Sequence, residues 1–133
     1  MRYKQGLARH QTALLPPSIE DYVDLDAPVR VIDAFVGSLN FIDLGFDKAI
    51  TASTGCKPYD PADLLKLYLY GYLNQMTSTR KLEKECHRNL EVMWLMRQLA
   101  PDFKTIADFR KNNTSAIKCA CRELVQLCRR LNL

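Results

Sequence analysis

Asp60-Pro61-Ala62-Asp63-Leu64-Leu65-Lys66-Leu67-Tyr68-Leu69-Tyr70-Gly71-Tyr72-Leu73 is the stretch that decides how this chain folds. It opens as a helix should. An aspartate side chain can accept from the open backbone N–H groups of the first turn, and proline at the first helical position gives up a donor that has no partner there. Asp63 adds negative charge near the positive end of the helix dipole. Leu65, Tyr68, Leu69, Tyr72 and Met76 then recur at helical spacing, with Leu64 and Leu67 widening the face. So broad an apolar surface places this helix in the middle of the fold. Gly71 weakens it but lets a neighbour come close.

Upstream, Asp26-Ala27-Pro28 reads as another start, with Asp26 as the N-cap, followed by Val29, Ile32, Val36 and Leu39 on one apolar face. Gly45 and Gly55 bracket a loop expected over residues 41–59. Downstream, the Thr77-Ser78-Thr79 cluster precedes a helix expected from Thr79 to His87. Asn89 caps a fourth, with Leu90, Met93, Trp94 and Leu99 as core candidates, and Thr105 with Asp108 forms a capping box for a short helix carrying Ile106 and Phe109. After Asn112-Asn113-Thr114 a last helix runs to about Leu131. Ile117, Cys121, Leu124, Cys128 and Leu131 lie on one face of it, and Lys118, Arg122 and Arg129 on another. No segment alternates with period two. The expected fold is all-α, a compact bundle of about five to six helices spanning residues 18–133. Residues 1–17 form an extended basic arm with Arg2, Lys4 and Arg9, because Pro16-Pro17 cannot continue a helix. Ser18 with Asp21 caps a short turn after it.

Composition narrows the function. At 133 residues the chain fits one domain. No apolar run approaches the roughly 20 residues of a membrane span and no signal peptide is present, so a soluble, cytoplasmic protein is expected. Five cysteines, an odd count without a CxxC pair, read as reduced thiols filling core space; neither a disulfide framework nor a metal site is expected. Residues 1–60 hold six Lys/Arg against eight Asp/Glu, a net charge of −2, and residues 61–133 hold thirteen against seven, a net charge of +6. A basic second half is compatible with nucleic acid.

Within that half, Arg80, Lys84 and Arg88 fall at four-residue intervals on the third helix, opposite Leu82 and Cys86. Such a stripe suits phosphate contact. It also suits a solvated face, since Lys81 can pair with Glu85 at i,i+4 and Glu83 dilutes the field. The carboxylates give no catalytic centre. Asp26, Asp60, Asp63 and Asp108 are accounted for by helix starts, and Glu83, Glu85, Glu91 and Glu123 by basic neighbours. There is no glycine-rich phosphate loop, nucleophile elbow or Cys–His arrangement. The residues alone thus describe a basic, all-helical domain that binds nucleic acid or protein.

A resemblance sharpens this. Gln11-Thr12-Ala13-Leu14-Leu15-Pro16-Pro17-Ser18, Pro28-Val29-Arg30-Val31-Ile32-Asp33-Ala34-Phe35-Val36, the Pro61–Asn74 stretch and Leu90-Glu91-Val92-Met93-Trp94-Leu95 follow in the order seen in bacterial insertion-sequence transposases. With Ala100-Pro101-Asp102-Phe103-Lys104-Thr105-Ile106-Ala107-Asp108-Phe109-Arg110-Lys111, the most specific piece, the chain resembles the InsH-like N-terminal domain of DDE transposases of the IS-four and IS-five type. The resemblance implies a helical domain preceding an RNase H-like catalytic domain. That domain carries three acidic residues, uses magnesium or manganese, and cuts and joins DNA at the terminal inverted repeats. It is expected to lie outside this chain, which would then hold no catalytic residue and no metal cofactor. The implied partner is double-stranded DNA at the element ends, contacted by Arg80, Lys84, Arg88 and the arm residues Arg2, Lys4 and Arg9, with the bound protein on the nucleoid. The alternative is a protein-interaction module that forms a homodimer or docks on the catalytic domain.

Overall fold

The computed structural model describes residues 3–46 and 59–132. Among these residues there are seven α-helices, one 3-10 turn at Ile19–Tyr22 and no strand. The helices are α1 (Pro28–Gly37), α2 (Phe41–Leu44), α3 (Pro61–Leu73), α4 (Thr79–Arg88), α5 (Leu90–Leu95), α6 (Phe103–Asn112) and α7 (Thr114–Arg130). The all-α bundle is what forms.

α3 lies at the centre and packs on α1, α5, α6 and α7. Leu64, Leu65, Leu67, Leu69, Tyr70 and Gly71 are all buried, and they point to most sides of the helix. The face expected from sequence therefore moves. Leu65 and Leu69 belong to the core, but Tyr68 is half-buried and Tyr72 is 49% exposed. The difference from Tyr70 is a hydrogen-bond partner: the Tyr70 hydroxyl accepts from Asn89 Nδ2 at 3.1 Å, so its phenol can be buried without an orphaned polar atom. Gly71 serves the expected close approach. A Cβ there would stand 2.7 Å from the Met76 carbonyl oxygen and 3.0 Å from a Leu82 methyl.

Five helix starts are closed by side chains, that of α2 by Asn40. Asp60 accepts from Ala62 N at 2.9 Å and Ser78 from Lys81 N at 3.3 Å. Asn89 accepts from Glu91 N and Val92 N, and Asp102 from Thr105 N at 2.8 Å. The last of these corrects the expected capping box. Thr105 supplies the capped N–H, the cap is Asp102, and Asp108 lies exposed in mid-helix. At α1 the cap position is Ala27, not Asp26, because Pro28 is itself the first helical residue and no side chain closes that end.

Other expectations shift for packing reasons. The expected loop over 41–59 contains α2, capped by Asn40 and closed by Gly45 at φ +83°. The buried Phe46 ring follows, stacked on Phe109 at 5.9 Å. Residues 47–58, with Gly55 and Cys56, lie outside the described residues. On α5 the core positions are Val92 and Leu95, followed by Met96; Leu90 and Leu99 are exposed and Met93 is half-buried. α5 is only six residues long, so its inward face is set by one turn and not by the four-residue spacing read across it. α7 buries Ala116, Ile117, Ala120, Cys121 and Leu124, leaves Cys128 half-buried, and ends at Arg130 with Leu131 exposed.

Two charged clusters hold the periphery, and neither was legible beforehand. Arg30 donates to the carbonyls of Asp24 and Val23, both at 2.8 Å, and its guanidinium lies 4.8 Å over the Trp94 ring. Glu20 completes the clamp, pairing with Arg30 and accepting from Trp94 Nε1 at 2.6 Å. The 3-10 turn is thereby tied to α1 and α5. Asp63, expected only to complement a dipole, is buried and paired with Arg97 at 3.2 Å, while Lys66 bridges to Asp33 at 2.8 Å.

Candidate nucleic-acid interface

The α4 surface arises directly from its sequence. Leu82 and Cys86, four residues apart, are buried against the core, so the opposite side must face water. Arg80, Lys84 and Arg88 lie on that side and are all exposed. Their chemical situations differ. The Arg80 guanidinium stacks 4.3 Å over the Phe103 ring, an arrangement that covers one face and leaves its edge donors available. Lys84 has no ion pair among the described residues. Arg88 is committed: its Nε and Nη2 both donate to Glu85 Oε1, at 3.0 and 2.9 Å.

Glu85 is therefore not the partner of Lys81. It is buried on the inner side of α4, where it accepts from Asn89 Nδ2 at 2.7 Å and from Arg88. The Asn89 hydrogen bond, with help from Arg88, holds its carboxyl below the ordinary glutamate range. A chain of hydrogen bonds thus runs from Tyr70 through Asn89 to Glu85 and Arg88, joining α3 to the α4–α5 corner. The stripe carries two uncommitted positive charges and a third shared with Glu85.

The arm residues Lys4 and Arg9 are exposed, and residues 3–17 contain neither helix nor strand. Arg2 lies outside the described residues. Arm and stripe are not joined by any hydrogen bond or ion pair among the described residues.

Five carboxylates are spent on structure. Asp60 and Asp102 cap helices, Asp63 and Glu85 sit in ion pairs, and Glu20 anchors Trp94. Among the described residues no three His, Cys, Asp or Glu side chains converge. The magnesium or manganese implied for a catalytic domain has no ligand set among them. Cys86 and Cys121 fill core space, and burial pushes each thiol up to about 11.

Residues 17–112 match the family model described as a transposase domain, DUF772. The chain belongs to this transposase domain family. The match runs from the proline that ends the arm to the last residue of α6, so it takes in the 3-10 turn and six of the seven helices. No curated protein and no solved structure matches the chain. Within the transposase domain no helix among the described residues is long and apolar enough to cross a membrane.

One groove, built partly from α7 beyond the matched residues, is not foreseen from the sequence. Lys118, Arg122 and Arg129 on α7 line a groove whose other wall is formed by Tyr68 and Tyr72 of α3. The available signal was the tyrosine itself, an aromatic with a polar tip that favours the edge of a core over its centre unless the hydroxyl is paired.

Proposed function

We propose that this transposase domain is the N-terminal DNA-handling part of an insertion-sequence transposase of the DDE, IS-four/IS-five type, and that it engages the terminal inverted repeats of the element. The observation that carries the reading is the outward, basic face of α4 in a chain of the transposase domain family. Arg80 and Lys84 supply phosphate contacts on a rigid helix backed by Leu82 and Cys86, and Lys4 and Arg9 add charge from the arm. Arg2 is assigned the same role from sequence. The domain acts on double-stranded DNA in the cytoplasm, at the nucleoid, while strand cleavage belongs to an RNase H-like domain outside this chain. The carboxylates support that division, because each of the buried ones already holds a cation.

Fluorescence anisotropy with a duplex carrying the element's terminal repeat tests the reading: binding should weaken steeply with salt. Magnesium- or manganese-dependent nicking that copurifies with the chain would contradict the division of labour.

A second reading has one observation behind it. Leu25, Val31, Ala34, Leu127 and Leu131 line a shallow, largely apolar groove of about 370 Å³ between α1 and α7. A module that forms a homodimer or docks on the catalytic domain would use such a surface. Salt-insensitive dimerisation measured by light scattering, with no DNA binding, would put this reading first.

A further inference from the structure

The groove between α3 and α7 has a composition that the α4 stripe lacks. It measures about 470 Å³. Lys118, Arg122 and Arg129 project from one face of α7, because steps of four and seven residues return to nearly the same helix angle. They span about 16 Å along the axis at 1.5 Å per residue. All three are exposed, and none is held by a carboxylate among the described residues. No acidic side chain lines the groove there. The facing wall presents Tyr68 and Tyr72, one helical turn apart, with Tyr72 half out of the core. The same two rings wall an adjoining cavity of about 90 Å³ that contains Arg110, so positive charge continues beyond them.

We infer that this groove binds an unpaired DNA strand, with phosphates on Lys118, Arg122 and Arg129 and a base stacked against Tyr72. The inference rests on the DNA-handling reading above and deepens it. Cations alone would suit any polyanion. The tyrosines make the distinction: their rings sit inside a concavity, and a base still stacked in a duplex cannot reach them. A strand whose bases are free to splay can place one there, and stacking on an aromatic ring is tolerant of sequence. A row of cations tracking a backbone beside aromatic platforms is the combination that single-strand binding requires. The α4 stripe, with a committed Arg88 and one covered arginine face, offers phosphate contacts but no platform.

The test uses the full chain, a fluorescent oligothymidylate and a mixed-sequence duplex of equal length. Oligothymidylate should bind with a log affinity against log salt slope of about −2, from three phosphates at about 0.7 each. Tyr72→Ala should weaken oligothymidylate binding about five- to hundred-fold and leave duplex binding unchanged, while Tyr72→Phe retains it. Tyr72 is half-exposed, so the alanine variant should keep the parent's circular dichroism spectrum and melting curve. Photocrosslinking with a bromodeoxyuridine strand should map to the Tyr68–Tyr72 segment. Unchanged oligothymidylate binding by a folded Tyr72→Ala variant overturns the inference. So does competition by polyglutamate as strong as that by oligothymidylate, which would mark a general polyanion face. Duplex binding without oligothymidylate binding overturns the inference and leaves the DNA-handling reading standing; no binding to either removes both.

Discussion

Replacing Gly71 by alanine should destabilise the protein, although the same change is favourable in most exposed helices. Alanine is better than glycine inside a helix by about 1 kcal/mol, from helix propensity and the reduced freedom of the unfolded chain. At position 71 the new methyl would stand 2.7 Å from the Met76 carbonyl oxygen and 3.0 Å from a Leu82 methyl. The leucine can give by a few tenths of an ångström. The Met76 oxygen is backbone, in the turn joining α3 to α4, and Met76 N is itself bonded to the Gly71 carbonyl at 2.7 Å. Overpacking of this kind costs about 1–3 kcal/mol, or more when backbone must move. Because a backbone atom is in the way, the upper part of that range, about 2–3 kcal/mol, applies. Less the gain of about 1 kcal/mol, it leaves a net loss of about 1–2 kcal/mol, which for a domain of this size lowers the melting temperature by about 3–10 °C. Gly37 is the control. It closes α1 with nothing within 4 Å of a built Cβ, so Gly37→Ala should stabilise by about 0.4–1 kcal/mol. Urea titrations of both variants, followed by circular dichroism, measure the pair. Equal stabilisation by both changes would refute the tight approach of the α3–α4 turn to α3.

Leu69→Ala removes a fully buried side chain from the central helix and should cost about 2–5 kcal/mol in urea unfolding; a change within about 0.5 kcal/mol would show that α3 is misplaced. Arg30→Met should release the 3-10 turn from α1 and α5, seen as a shift in the emission of Trp94, the chain's single tryptophan, with a loss of about 1–3 kcal/mol. Because the Glu85 carboxyl is held low by Asn89 and Arg88, its contribution is present above the ordinary glutamate range and is lost as pH falls through its lowered pKa. Glu85→Gln should therefore flatten the fall in stability on acidification, and an unchanged acid limb would contradict that role.

The fold was legible where chemistry is local. Asp60-Pro61, Ser78 and Asn89 announced their helices because a cap needs only a side-chain oxygen and its neighbours' N–H groups. Two starts were misread by a few residues for the same local reason. Pro28 at the first position pushed the cap to Ala27, and the α6 cap was Asp102, three residues before Thr105. What periodicity could not supply was which side of a helix the rest of the chain covers. α3 is apolar on so many sides that several tyrosine placements satisfied the pattern, and only the Asn89 partner put Tyr70 inside and Tyr72 out. The candidate site divided the same way. The outward face of α4 followed from Leu82 and Cys86, but the engagement of Arg88 by Glu85 depends on Asn89 arriving from the next helix start. The α7 cations were visible as a face without a destination. Their meeting with Tyr68 and Tyr72 is a contact across some fifty residues of chain that no local signal carries.

The most direct test of the DNA-handling role is the salt dependence of duplex affinity for the parent and for the Arg80→Gln, Lys84→Gln, Arg88→Gln triple variant. On the proposed reading Arg80 and Lys84, which no carboxylate holds among the described residues, are free to contact phosphate, and Arg88 is shared with Glu85. At about 0.9 per phosphate neutralised, the triple variant should flatten the slope of log affinity against log salt by about 2 and keep the parent's helical spectrum. A folded triple variant that binds duplex like the parent at every salt concentration would contradict the account and leave the basic face of α4 a solvated surface.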